Sequence, residues 1–240
     1  MLQDKTFDAQ LDHRNIEIDQ KAEPKAGQLQ ICQHLRMDPR QALVFGILLN
    51  VAAFVLLASL VNLLSAVLTL GATLFYVLVY TWYLKRSTPQ NIVIGGAAGA
   101  VPPLVGWAAV TGTLGLPALY LFGIVFFWTP PHFWALSLLI QGDYEKAGVP
   151  MMPVVMGVRE TVRSIVLHSL LLVALSVLFF TMDGLGWIYL SGAAALGTVF
   201  LYLAFRLLRN PNRTAALRLY LYSLLYLTLL FGVIMIDSVV

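Results

Sequence analysis

Charge is what this chain has least of. Asp, Glu, Lys and Arg together make up 11% of its 240 residues, where a water-soluble domain carries roughly 25%. So few charges cannot cover a protein of this size with a hydrated surface, which excludes an ordinary soluble globule. Cysteine is nearly missing as well. Cys32 stands alone and cannot close an internal disulfide, so an oxidised scaffold is excluded. The first 40 residues hold no long apolar run, so membrane insertion is expected to be driven by internal helices rather than by a leader.

What is present in excess is apolar side chain, at 59% of the chain with a mean hydropathy of +0.81. About 20 consecutive apolar residues cross the hydrocarbon core as a helix, and such runs follow one another almost without a break. The pattern predicts an all-α, polytopic transmembrane helical bundle with about seven spanning helices. They are placed at 42–61, 66–84, 92–109, 116–140, 164–182, 185–208 and 215–236. Residues 1–41 form a polar arm, and 42–240 form the membrane domain. Short links at Asn62–Ser65, Val110–Gly115 and Asp183–Gly184 alternate with longer loops at 85–91, 141–163 and 209–214. With the N-terminus cytoplasmic, all 15 Lys and Arg fall on the cytoplasmic side or at helix ends facing it, leaving Asp183 and Asp237 opposite. That segregation follows the positive-inside rule and predicts a multi-pass protein of the inner membrane.

The third segment is built from small residues, with Gly95 and Gly99 at the spacing that lets helices approach closely. Pro102 and Pro103 follow near mid-membrane, and the fourth segment carries Pro130 and Pro131. Irregular backbone at that depth survives when packed in protein or lining a cavity. Two proline-broken helices around a central cavity are therefore expected, the alternative being kinks that serve packing alone.

Several polar residues stand out against this background. Asp4, Asp8 and Asp12 recur every four residues, one acidic stripe if residues 4–13 are helical. A divalent metal would neutralise that stripe, and Mg²⁺ is usually held by one or two carboxylates plus substrate phosphates; a solvated acidic arm is the plainer reading. Lys85, Arg86, Thr88 and Asn91 lie where a loop meets a helix N-terminus, a setting able to hold a diphosphate or simply to anchor the loop. His132 falls inside the fourth segment among Trp128, Phe133 and Trp134. Ionisable groups in spanning helices usually face a cavity or a partner, and aromatic faces stabilise cations. The loop 141–163 brings Asp143, Glu145, Lys146, Arg159, Glu160 and Arg163 to the same membrane face as the acidic stripe. There they serve either two Mg²⁺ ions on a diphosphate or a plain polar connection. No nucleic-acid partner is expected.

Three strings, YLKRSTPQNIVIGGAAGAVPPLVGWAAVTG, WTPPHFWALSLL and DYEKAGVPMMPVV, resemble the signature blocks of the haem O synthases, or protohaem IX farnesyltransferases. These are a branch of the UbiA-type intramembrane prenyltransferases. The resemblance covers roughly residues 39–240 and is densest over 75–163. It implies transfer of a farnesyl group from farnesyl diphosphate to a vinyl group of haem B, within a lipid bilayer and with Mg²⁺ on the departing diphosphate. On the family pattern Asp8, Asp12 and Asp143 would be the catalytic and metal-holding carboxylates, with Asp4 where the family has an asparagine. His132 would be a haem contact. Lys85, Arg86, Thr88, Asn91, Trp134, Tyr144 and Lys146 would bind substrate. The family's first two spanning helices have no counterpart ahead of the acidic stripe, and NIEIDQKAEPKAG replaces a basic R-T-x-x-R-P-L stretch. The other readings are prenylation of a quinone precursor and a truncated, non-enzymatic membrane protein.

The topology has a direct test. In a Cys32→Ser background, single cysteines at Ser87 and Thr113 should react with a membrane-impermeant thiol reagent from opposite faces. Labelling of both from one face would refute the seven-span arrangement.

Overall fold

The computed structural model describes residues 39–239 except Asp183, with backbone alone at Pro39 and Arg86. Within it the chain runs α1 (Pro39–Leu60), α2 (Leu63–Leu74) continued by a π-helical stretch Phe75–Leu84, and α3 (Lys85–Ser87). Next come α4 (Asn91–Gly99), α5 (Pro102–Thr111), α6 (Leu116–Leu139), α7 (Gln141–Lys146) and α8 (Met152–Val155). The chain closes with α9 (Gly157–Leu178), ending in a 3₁₀ turn, α10 (Trp187–Arg209) and α11 (Arg213–Asp237). Seven stretches are long and apolar enough to cross a bilayer, and no strand occurs among the described residues. This is a multi-pass membrane protein. Its basic end carries the loops around 85–90 and 141–156.

The core lies in the second half of the chain. Ile124, Trp134, Leu138, Ile165, Leu172, Phe200, Leu219 and Leu230 are all buried in one cluster where α6, α9, α10 and α11 meet. Several hydroxyls in this core are paired, as hydrocarbon favours, while Trp134 Nε1 is buried without a partner. The Tyr189 hydroxyl donates to Ser176 O, and that of Tyr226 donates to Ser176 Oγ at 2.9 Å. At the far end from the basic loops Asp237 accepts from the Gly186 and Tyr189 amides, a carboxylate on the electropositive start of α10. By contrast α1 buries none of its length and packs against α2.

The two proline pairs behave differently. Pro102 and Pro103 open α5, where a missing N–H costs no helical bond, and the spanning helix is broken at Ala100–Val101. Pro130 and Pro131 sit inside an unbroken α6, which corrects the expectation of two broken helices. They deprive the carbonyls of Phe126 and Phe127 of their i+4 donors. The helix nevertheless continues because residues 129–132 are all buried and Thr129 Oγ1 adds a bond to Val125 O at 2.8 Å. A second difference lies in α9, which begins at Gly157 rather than near 164. Its first two turns carry the Glu160–Arg163 ion pair, so polar helix extends past the apolar stretch that the hydropathy pattern marks.

Ser176→Ala should leave the Tyr226 hydroxyl without its acceptor. The expected loss is about 1 kcal/mol, measured by reversible unfolding in mixed micelles, with Tyr226→Phe on top of it recovering part of that loss.

Candidate functional site

A groove-like cavity of about 440 Å³ lies between the second, third and fourth spans. Its rings are Tyr76, Tyr80, Trp128 and Phe133, and its small wall residues include Gly95, Gly96 and Gly99. The π-helical stretch supplies the tyrosines. Widened backbone of this kind recurs at functional sites, and here Tyr76 and Tyr80 pair with ring centroids 5.0 Å apart. Gly95 lets the Tyr80 ring pack close against α4, since a methyl there would clash with the ring edge at Cδ2. Gly96 does the same for Thr129, whose Cγ2 would stand 3.0 Å from an added Cβ. From α6 the lining residues Val125, Thr129 and Phe133 form one stripe at four-residue spacing, as a helix face demands.

His132 is one residue, about 100°, off that stripe. It is buried inside the bundle and faces α11 instead of the cavity. Its ring is stacked between Trp128 (4.4 Å) and Tyr220 (4.9 Å), and its Nδ1 lies 2.7 Å from Ser223 Oγ. The Ser223 hydroxyl spends its hydrogen on Tyr220 O at 2.6 Å, so it accepts from the histidine. Nδ1 therefore carries the proton, and Nε2 keeps its lone pair. Trp128 Nε1 donates to Ser223 O at 2.7 Å, which locks the same turn of α11. Trp134, about 100° beyond Phe133, is fully buried in the core and edge-on to His168 at 5.0 Å. It is not among the cavity residues because its side of α6 faces α9.

The remaining candidates sit at the basic end. Lys85 is exposed and Thr88 half-buried, with Thr88 Oγ1 accepting from Gln90 N at 3.2 Å to tighten the turn. Asn91 is fully buried. Its Nδ2 makes a long 3.4 Å bond to Lys85 O, and its Oδ1 has no partner. Asp143, Glu145 and Lys146 are exposed on α7, while Tyr144 is half-buried. Tyr144 lies near Tyr80, so α7 stands next to the cavity. Burial raises the Tyr144 hydroxyl above its ordinary pKa, so it remains a protonated donor at neutral pH. Asp4, Asp8 and Asp12 lie outside the described residues. Among the described residues no three His, Cys, Asp or Glu converge as a ready-made metal site.

Sequence reasoning passed over Tyr76, Tyr80, Tyr220 and Ser223. The tyrosine pair left a trace, a four-residue spacing directly before the basic loop. Ser223 left none, because a serine 91 positions from its histidine has no local signature.

Comparison with known proteins agrees with this picture. The family model described as the UbiA prenyltransferase family matches residues 15–230. The chain is 56% identical over 205 residues to a protoheme IX farnesyltransferase of Roseiflexus sp. (strain RS-1), aligning 85% of this chain with 38% of that protein. Its identity to the protoheme IX farnesyltransferase of Gloeobacter violaceus is 53%, covering 67% of that protein, and to that of Thermus thermophilus 52%, covering 34%. The chain thus spans between about a third and two thirds of the length of these relatives. In fold it resembles a solved chain reported under "Structural and mechanistic insights into the biosynthesis of Digeranylgeranylglyceryl phosphate synthase in membranes". The TM-score is 0.68 at 21% identity, over 95% of this chain and 78% of that one.

The tautomer of His132 can be checked by ¹⁵N NMR of histidine-labelled protein. Nδ1 should resonate as the protonated nitrogen and Nε2 as the bare one. Ser223→Ala should abolish that preference and Ser223→Thr should retain it.

Proposed function

Because the chain belongs to the UbiA prenyltransferase family, we propose that it transfers a farnesyl group from farnesyl diphosphate to a vinyl group of haem B, giving haem O. The observation that carries this reading is the cavity: four aromatic rings on an apolar wall, with the polar residues Lys85, Asn91, Asp143 and Tyr144 on the loops and helix ends at the same end of the bundle as its Tyr80 rim. An apolar wall beside polar loops supports a ligand with an isoprenoid tail and a diphosphate head. The likeness to protoheme IX farnesyltransferases supports haem as the acceptor. The distribution of Lys and Arg supports an inner-membrane protein with its N-terminus and this polar end on the cytoplasmic side.

In the reaction the C1–O bond of farnesyl diphosphate breaks, and its electron pair leaves with the diphosphate. The vinyl π-pair then bonds to farnesyl C1. Water adds to the cation next to the porphyrin ring, and the proton released goes with the diphosphate. Lys85 supplies positive charge at the end of the bundle where negative charge develops, and the protonated Tyr144 donates a hydrogen bond there. Tyr76, Tyr80, Trp128 and Phe133 offer ring faces to the allylic cation and keep water from it until the acceptor has reacted. His132, stacked on Trp128 and bonded to Ser223, acts on the reaction only by holding the Trp128 ring in the cavity wall.

Asp143 is one exposed carboxylate near the cavity's polar end, which suits an ion held by one or two carboxylates plus phosphate oxygens. Together with Asp8 and Asp12 it would hold Mg²⁺, which when bound supplies Lewis-acid stabilisation of the leaving diphosphate.

The full chain in lipid vesicles, given haem B and farnesyl diphosphate, should form haem O detectable by mass. Product should fall to background with EDTA and return with Mg²⁺. Asp143→Asn should lower the rate by about 100-fold, as should Asp8→Asn and Asp12→Asn. An Asp143→Asn variant with undiminished rate would remove it from the metal role. Prenylation of 4-hydroxybenzoate in place of haem B would move the protein to the quinone branch.

A further inference from the structure

The three cavity glycines of α4 do not do the same thing. At Gly95 and Gly96 an added methyl would strike Tyr80 or crowd Thr129, so both are required by packing. At Gly99 an added Cβ meets no atom within 4 Å, although the residue lines the cavity. A glycine in a helix costs about 1 kcal/mol relative to alanine, and at Gly99 no close contact offsets that cost. Emptiness itself is what this position contributes.

Its location gives that emptiness a meaning. The cavity wall on α4 runs from Ile92 to Gly99, seven residues or about 10 Å along the axis. Tyr80 to Ala72 and Phe133 to Val125 run the same way on the other two walls. The polar loop residues mark the Ile92 end, and Gly99, Ala98, Ala72 and Val125 mark the other. Beyond them the spans close up. Ala66, Ala100, Leu104 and Ala108 are buried, and Asn62 Nδ2 donates to Ala108 O at 2.7 Å. A chain whose head sits at the polar end therefore brings its tail to Gly99.

We infer that Gly99 is the specificity-determining residue for the length of the isoprenyl chain, the missing side chain leaving room for the distal isoprene unit. This rests on the prenyl-transfer reading above. Gly99→Leu should fill that room with a group close in bulk to one isoprene unit, its Cβ entering without contact to any neighbour.

The test compares geranyl, farnesyl and geranylgeranyl donors on the full chain in nanodiscs. Binding of the unreactive thiolodiphosphates is measured by calorimetry and turnover with haem B by mass. Gly99→Leu should shift the farnesyl-to-geranyl ratio toward geranyl by at least about 10-fold in both, with Gly99→Ala in between and the melting temperature no lower than that of the wild type. Gly46→Leu, at an α1 glycine with equally open surroundings but outside the cavity, should leave the ratio alone. A ratio unmoved by Gly99→Leu, or moved as much by Gly46→Leu, overturns the inference while prenyl transfer stands. A shifted binding ratio with no turnover on any acceptor overturns prenyl transfer and leaves the length gauge standing. Wild-type protein that binds none of the three donors overturns both.

Discussion

Everything in this bundle answers to one constraint: within hydrocarbon a backbone or side-chain polar group finds a partner in the protein or goes without. The seven spans are helical because a helix satisfies its own backbone. Where a span departs from that, something else has been arranged. The break before Pro102 is closed by bonds from Ala100 N to Gly96 O and Ala97 O. The prolines of α6 are wrapped on all sides by protein. The hydroxyls of Tyr189 and Tyr226 converge on one serine, and Ser223 both accepts from His132 and donates to its own helix. A single serine thereby decides which nitrogen of a buried histidine is protonated.

The same constraint separates the functions of neighbouring residues on one helix. Along α6, Phe133 faces the cavity, His132 faces α11 and Trp134 faces α9, in three consecutive positions. Each direction meets a different chemistry: ring faces open to a ligand, a fixed imidazole, and sealed core. A rotation of α6 by one residue, about 100°, would turn His132 or Trp134 toward the cavity in place of Phe133.

Much of this was legible in the sequence, because hydrophobic length and the placement of Lys and Arg are properties of runs. The boundaries of most spans came within about three residues, and the small-residue character of α4 announced a close helix approach at Gly95. Direction was not legible. WTPPHFWALS reads as one aromatic patch, and nothing in the string says that His132 and Trp134 leave the cavity to Phe133. The π-helical stretch was hidden for a related reason: FYVLVYTWYL is apolar on every side, so no periodicity survives to betray a change of pitch. Gly95 and Gly99 look alike as letters and differ only in what stands opposite them. The acidic stripe at Asp4, Asp8 and Asp12 lies outside the described residues and precedes the family match at residue 15.

The lopsided burial also sets an order in time. Residues leave the ribosome from the N-terminus at roughly 5–20 per second, so α1 and α2 enter the bilayer before any helix of the core exists. With none of α1 buried, that hairpin does not depend on the core to enter the bilayer. The cavity acquires its third wall only when α6 arrives, and His132 finds Ser223 only when α11 follows. The three-walled cavity is therefore complete before the imidazole beside it is fixed.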